Sequence, residues 1–148
     1  MEAIIFCGVQ ATGKSTFYKE RFFDSHVRVS LDLLRTRHRE NLFLHVCLES
    51  QQRFVVDNTN TTRAERVRYV TLAKATDYKV ICYYFQSKIG DALKRNDQRI
   101  GKAKIPITGV KGMFRRLELP TADEGFDQMY YVEITDTGFQ VREWQNEV

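Results

Sequence analysis

The apolar run Ala3-Ile4-Ile5-Phe6-Cys7 leads directly into Gly8-Val9-Gln10-Ala11-Thr12-Gly13-Lys14-Ser15, and a helix-favouring segment follows at 17–23. A buried strand, a loop bracketed by glycines and a helix start, in that order, form the Walker A pattern of a phosphate loop. Gly8 and Gly13 are expected to adopt backbone angles closed to side chains, so that successive N–H groups converge on one anion. A helix beginning near Lys14 adds unpaired N–H groups and the positive end of its dipole. Lys14 has the reach for β- and γ-phosphates, and the Ser15 hydroxyl can ligate Mg²⁺. The loop therefore predicts binding of a nucleoside triphosphate through Gly8, Gln10, Ala11, Thr12, Gly13, Lys14, Ser15 and Thr16.

The rest of the chain reads as the α/β domain such a loop requires. At 148 residues, 43% hydrophobic and 28% charged, it has the make-up of one globular domain able to bury a core without metal or disulfides. No apolar run nears the roughly 20 residues that span a bilayer, and the first residues lack a charged-then-apolar leader. Cys7, Cys47 and Cys82 are widely spaced, and two of them lie in strand-like runs, so buried reduced thiols and a cytoplasmic location are expected. Residues 3–7, 27–30, 53–57 and 79–85 read as strands. Residues 40–52 show helical spacing with Leu44, Cys47 and Leu48 on one face. Thr62-Arg63-Ala64-Glu65 has the form of a capping box, with Val67, Val70 and Ala73 as the buried stripe of the helix it opens. Helices are expected at 89–97 and 110–117, and strands at 129–134 and 139–144 around the turn Asp136-Thr137-Gly138. Phe17, Tyr18, Phe22 and Phe23 suit core packing. His38 and His45, seven apart without a companion ligand, suit packed or solvated positions rather than a metal pair. Strands alternating with helices imply a mostly parallel sheet.

Two carboxylates stand at strand ends. Arg53-Phe54-Val55-Val56-Asp57 has the Walker B form, in which the Asp holds Mg²⁺, although strands also end in Asp as a turn residue. Asp32 follows the second strand, and ligands of open α/β sheets sit at such carboxyl ends. A phosphoryl acceptor needs a carboxylate to take its proton, a task open to Asp32, whose alternative is a plain helix cap after Ser30. No Asn/Thr-Lys-x-Asp guanine reader occurs, which argues against a GTPase. A motor or AAA-type ATPase is normally larger and receives its arginine from a neighbouring subunit, whereas here arginines follow in cis.

The combination of residues 8–16, Ser30-Leu31-Asp32-Leu33-Leu34-Arg35, Val55-Val56-Asp57-Asn58-Thr59-Asn60 and Lys94-Arg95-Asn96-Asp97-Gln98-Arg99 resembles the kinase module of polynucleotide 5′-kinases. Leu119-Pro120-Thr121-Ala122-Asp123-Glu124-Gly125-Phe126 is similar to the segment closing that module in the animal end-repair enzymes. The resemblance implies a three-layer P-loop kinase domain over 1–148, with a helical lid at about 95–115. It implies an ATP-dependent transfer of the γ-phosphate to a 5′-OH of RNA or DNA. Lys14, Asp32, Arg95 and Arg99 would be catalytic, Asp32 as general base and the two arginines on the lid. Ser15, Asp32 and Asp57 would serve Mg²⁺, while Arg35, Asn58 and Thr59 would meet the acceptor. Leu31 departs from the pattern, since many such kinases carry Arg before the base. No DxDxT phosphatase motif occurs, so 3′-end clearing or ligation would fall to a separate partner protein.

The net charge is +4. Its cations cluster at Arg28, Arg35, Arg37 and Arg39 and again at Lys111, Arg115 and Arg116. Such clusters suit a groove for a nucleic-acid backbone, and equally a solvated basic face. A kinase of a small-molecule or tRNA-linked hydroxyl, and a nucleotide-sensing module without catalysis, remain the other readings.

Overall fold

A computed structural model describes residues 1–101 and 104–145. Residues 102 and 103 of the expected lid, and 146–148 at the end of the expected domain, lie outside the described residues. Six strands form one sheet in the order β2-β3-β1-β4-β5-β6. These are β1 (Glu2–Cys7), β2 (Val27–Val29), β3 (Phe54–Val56), β4 (Lys79–Phe85), β5 (Gln128–Thr135) and β6 (Gly138–Glu143). The first five run parallel, and β6 returns antiparallel to β5.

β1 is central, pairing with β3 and β4 so that Ile4 lies between Val55 and Ile81. Alternate residues of β1 feed two different cores, as the period of two in a strand demands. Ala3 and Ile5 pack with Leu44, Leu48, Phe54 and Val70, under helices α3 (Arg37–Ser50) and α4 (Arg63–Ala75). Ile4 and Phe6 pack with Phe17, Ile81 and Phe85, under α1 (Lys14–Arg21). Helices cover both faces of a mostly parallel sheet, giving three layers as expected. The three cysteines are buried free thiols. Among the described residues, no helix is long and apolar enough to cross a membrane.

Several local expectations change. Phe17 and Tyr18 are buried, but Phe23 is 68% exposed, because α1 stops at Arg21 and its helical register ends there. Thr62 caps α4 by accepting from the Glu65 amide, yet Val67 is exposed and Arg66, Tyr69, Val70 and Ala73 form the buried stripe. α3 begins at Arg37, three residues earlier than its apolar spacing suggests, because Thr36 accepts from the Arg39 amide at 3.1 Å. Asp32 lies on a separate short turn, α2 (Leu31–Leu34).

Two helices, α5 (Ile89–Asp97) and α6 (Ile107–Arg116), flank the segment expected to act as a lid. Asn96 clamps the segment between them, its amide accepting from the Ile105 N–H at 2.9 Å and donating to the Ile105 carbonyl at 2.6 Å. Val110 and Val9 are both buried, joined by Leu93, Ile105, Met113 and Phe114, which packs α5 and α6 against the phosphate loop at Val9.

Candidate active site

The loop between β1 and α1 has the geometry of an anion cradle, but its two framing glycines serve different ends. Gly13 has φ 87° and is the N-cap of α1. Gly8 does not have positive φ; a Cβ there would lie 3.0 Å from Phe85 Cβ and 3.2 Å from the Phe85 carbonyl oxygen. Space against β4, not dihedral freedom, requires glycine at that position. The Gly8 N–H is engaged with the Thr59 carbonyl at 2.9 Å, so Gly8 spaces the loop rather than facing a ligand. The second left-handed residue of the loop is Ala11, φ 64°. The Arg95 guanidinium donates to the Ala11 carbonyl at 3.2 Å, bringing the first lid arginine to the loop backbone.

Lys14 folds over the loop, its ammonium donating to the carbonyls of Gly8 at 3.0 Å and Val9 at 2.7 Å. Burial pushes that ammonium down to about 8, against the opposing pull of Asp57. Ser15 Oγ donates to Asp57 Oδ2 at 2.9 Å, so the loop hydroxyl and the carboxylate ending β3 meet as the paired Walker motifs predict.

A cavity of about 860 Å³ opens over this cradle. Residues 10–16 form its floor; Leu31, Asp32, Arg35, Asp57, Asn58, Thr59, Arg99 and Ile105 form its walls. The structure thus brings Lys14, Asp32, Asp57, Arg35 and Arg99 around one space. Gly8 and Arg95 stand behind the lining. Asn58 lines the cavity, but its amide is spent on the scaffold: Oδ1 accepts from the Leu31 N–H at 2.8 Å, and Nδ2 donates to Glu40 at 2.9 Å. Arg35 has φ 76°, a conformation outside the ordinary range for a side-chain-bearing residue.

The expected basic groove changes in membership. Arg28 donates to Asp57 Oδ2 at 2.8 Å and to Ser15 Oγ at 3.1 Å, inside the site. Arg37 is bound to Glu40 and Tyr69. Lys111, Arg115 and Arg116 are exposed. Sequence reasoning counted Arg28 with the surface charges, although the alternation Val27-Arg28-Val29 places it on the face opposite buried Val29. Glu40 and Tyr69 carried no signal, since Glu40 meets Tyr69 and Asn58 from positions 29 and 18 residues away.

Ser15 and Asp57 offer a hydroxyl and a carboxylate side by side, a hard-oxygen donor pair of the kind Mg²⁺ takes. Among the described residues, no group of three or more His, Cys, Asp or Glu side chains could hold a metal by itself. Any divalent ion here would therefore draw other ligands from phosphate and water, as Mg²⁺ does in phosphoryl-transfer sites.

Residues 4–120 match the AAA domain family. The chain belongs to that family. The expectation against an AAA-type ATPase therefore does not extend to the domain family itself. The matched span of this AAA domain runs from β1 through the lid to the start of the closing segment. A bifunctional polynucleotide phosphatase/kinase of Schizosaccharomyces pombe is 26% identical over 129 residues, covering 84% of this chain. Only 32% of that relative is covered, so the chain spans about a third of its length. A gluconokinase from Sinorhizobium meliloti superposes with TM-score 0.66 at 16% identity, over 91% of this chain and 83% of its own. Kti12 of Chaetomium thermophilum, solved with ADP-AlF3, gives 0.67 at 13% identity, over 91% and 92%. At these identities the likeness is one of fold, and the fold is the P-loop kinase type.

Proposed function

We propose that this AAA domain is an ATP-dependent phosphotransferase acting on the 5′-hydroxyl of a polynucleotide. The observation carrying the proposal is the shared cavity: Asp32 and Arg35 face the same space as Lys14, Ser15 and Asp57. A nucleotide sensor has no need of a carboxylate and an arginine opposite its phosphate cradle. The polynucleotide acceptor is supported by the relative whose name includes polynucleotide kinase and which aligns with most of this chain.

In this mechanism the loop amides and the end of α1 hold the triphosphate, and Lys14 moves from its carbonyl partners to the β- and γ-phosphates. Ser15 and Asp57 are the residues that would hold Mg²⁺, which when bound supplies positive charge to the phosphates. The acceptor hydroxyl oxygen attacks the γ-phosphorus as the bond to the β,γ-bridging oxygen breaks. Its proton passes to Asp32, and a nucleoside diphosphate leaves. Arg35 takes a phosphate of the acceptor strand, while Arg99 and Arg95 close from the lid on charge that develops in transfer. End clearing and sealing, for which residues 1–148 hold no motif, fall to other active sites.

Incubation with γ-labelled ATP, Mg²⁺ and a panel of 5′-OH RNA, 5′-OH DNA, nucleosides and small sugars tests this directly. Label should appear on oligonucleotide 5′ ends, and Asp32→Asn should lower turnover by about 10²–10⁴-fold with ATP affinity nearly unchanged. Label confined to small molecules would replace the acceptor, and no transfer to any of them would remove the activity.

A further inference from the structure

We infer that Glu40 and Asn58 are positioning residues that fix the helical turn carrying Asp32, an inference resting on the phosphotransferase reading. α2 has four residues, none of them buried, and its N-cap Ser30 makes no side-chain capping bond. A turn so short cannot hold its own geometry, and only partly buried Leu34, at its far end, packs against a core. Its first amide is instead held from outside, where Asn58 Oδ1 accepts from Leu31 N–H at 2.8 Å, one residue before Asp32.

The direction of that bond depends on Glu40. Its side chain is fully buried, and its two oxygens can only accept while it is ionised. Oε1 takes bonds from Tyr69 at 2.8 Å, Arg37 at 3.0 Å and Arg68 at 2.6 Å. Oε2 takes the Asn58 amide at 2.9 Å. A carboxylate facing Asn58 forces the NH₂ toward itself, and so forces the carbonyl oxygen toward Leu31. With the Asn58 amide reversed, oxygen would face oxygen at one end and N–H would face NH₂ at the other. Glu40 thus sets the polarity of a relay from α3 through the end of β3 to the base-bearing turn. Two arginines compensate its charge, which lets a carboxylate persist with no solvent contact.

Glu40→Gln is the discriminating change, since it preserves shape while allowing a donor to face Asn58. Asn58→Ala removes the tie while leaving Glu40 its bonds from Tyr69, Arg37 and Arg68, and it carries the test should Glu40→Gln fail to fold. Two quantities are read: hydrogen exchange of the Leu31 amide by NMR, which needs no acceptor, and kcat beside nucleotide affinity. Both variants should exchange Leu31 at least tenfold faster and lose about tenfold to a hundredfold in kcat, as misplaced catalytic groups do. Their ATP affinity should stay within twofold of wild type. Val132→Ala, a core truncation on β5 outside this relay, should lose stability and keep both kcat and Leu31 protection. Wild-type protection of Leu31 in Asn58→Ala, or an equal kcat loss in Val132→Ala, overturns the relay. A wild-type protein that phosphorylates no acceptor refutes the phosphotransferase reading instead, and the exchange measurement then judges the tie alone.

Discussion

Arg28 and Ser15 converge on one oxygen of Asp57: the guanidinium Nε donates at 2.8 Å and the hydroxyl at 2.9 Å. Arg28 also reaches Ser15 Oγ, so a fixed cation lies against both groups proposed to hold Mg²⁺. Two cations competing for a single carboxylate weaken each other. Arg28→Met keeps much of the apolar stem and removes the competitor, so the Mg²⁺ concentration giving half-maximal binding of a fluorescent ATP analogue should fall severalfold. A rise instead would make Arg28 the group that orients Asp57 for the metal.

Lys14 predicts a pH dependence of nucleotide binding. Burial holds its ammonium at about 8 in the free protein, whereas a bound triphosphate favours the charged form. Above that pH the neutral amine must take up a proton on binding. ATP affinity should be level from pH 6.5 to 7.5, then fall by up to about tenfold per unit once pH passes 8. Calorimetry in buffers of different ionisation heat should register the proton uptake, and Lys14→Met should bind weakly with no such slope. Stability moves the opposite way through this group. The unfolded lysine keeps its proton up to 10.5, so between about 8 and 10.5 the unfolded chain binds more protons and the native state gains stability as pH rises.

What the sequence disclosed follows from how local each determinant is. Residues 79–85 and 89–97 read as the elements they form, β4 and α5, because an apolar run and a helix-favouring segment carry their own signal. The phosphate loop and the Asp57 strand end were readable for the same reason, each being a contiguous pattern. The stripe of α4 was not. Val67 has the hydrophobicity expected of a core position, but Arg66 and Tyr69 take the inward face because Glu124 and Glu40 meet their polar ends. Those partners lie 58 and 29 residues away, beyond any periodicity. The bonds of Arg28 to Asp57 and of Asn58 to Leu31 and Glu40 were hidden on the same ground: each side chain meets a group that only the folded chain brings near.

Gly13 joins the loop to the β5–β6 hairpin. At φ 87°, a Cβ would lie 2.9 Å from Ile134 Cδ1 and 3.0 Å from Phe139 Cε1. Gly13→Ala therefore meets backbone strain and a crowded hairpin together, and should cost about 1–3 kcal/mol of stability. ATP binding should weaken beyond detection at conditions where the variant remains folded, because the start of α1 moves with the residue. Urea denaturation and nucleotide titration check the two effects separately. Wild-type ATP affinity in a folded variant would mean that the hairpin yields and the cradle does not need glycine there.

Arg66 and Glu124 tie the wall of the site that contains Asp57–Thr59 to the closing segment. Their side chains are 0% and 4% exposed, and the guanidinium grips the carboxylate through two bonds, Nε to Oε1 at 2.8 Å and Nη2 to Oε2 at 3.0 Å. The remaining nitrogen donates to the Asn60 carbonyl at 2.9 Å, in the loop that begins with Asp57 and Asn58. Arg66→Met leaves a buried carboxylate without its counter-charge and a loop carbonyl without its donor, and should cost about 3–5 kcal/mol. Adding Glu124→Leu removes the stranded charge, so the double variant should be more stable than Arg66→Met alone. Denaturant midpoints of the two single variants and the double form a cycle that isolates the coupling. Additive losses would show that Arg66 and Glu124 act on stability independently, with no coupling between them. Recovery of stability without recovery of turnover would instead separate the two roles of Arg66, since the double variant restores charge balance but not the bond to Asn60 that steadies the Asp57–Asn60 loop.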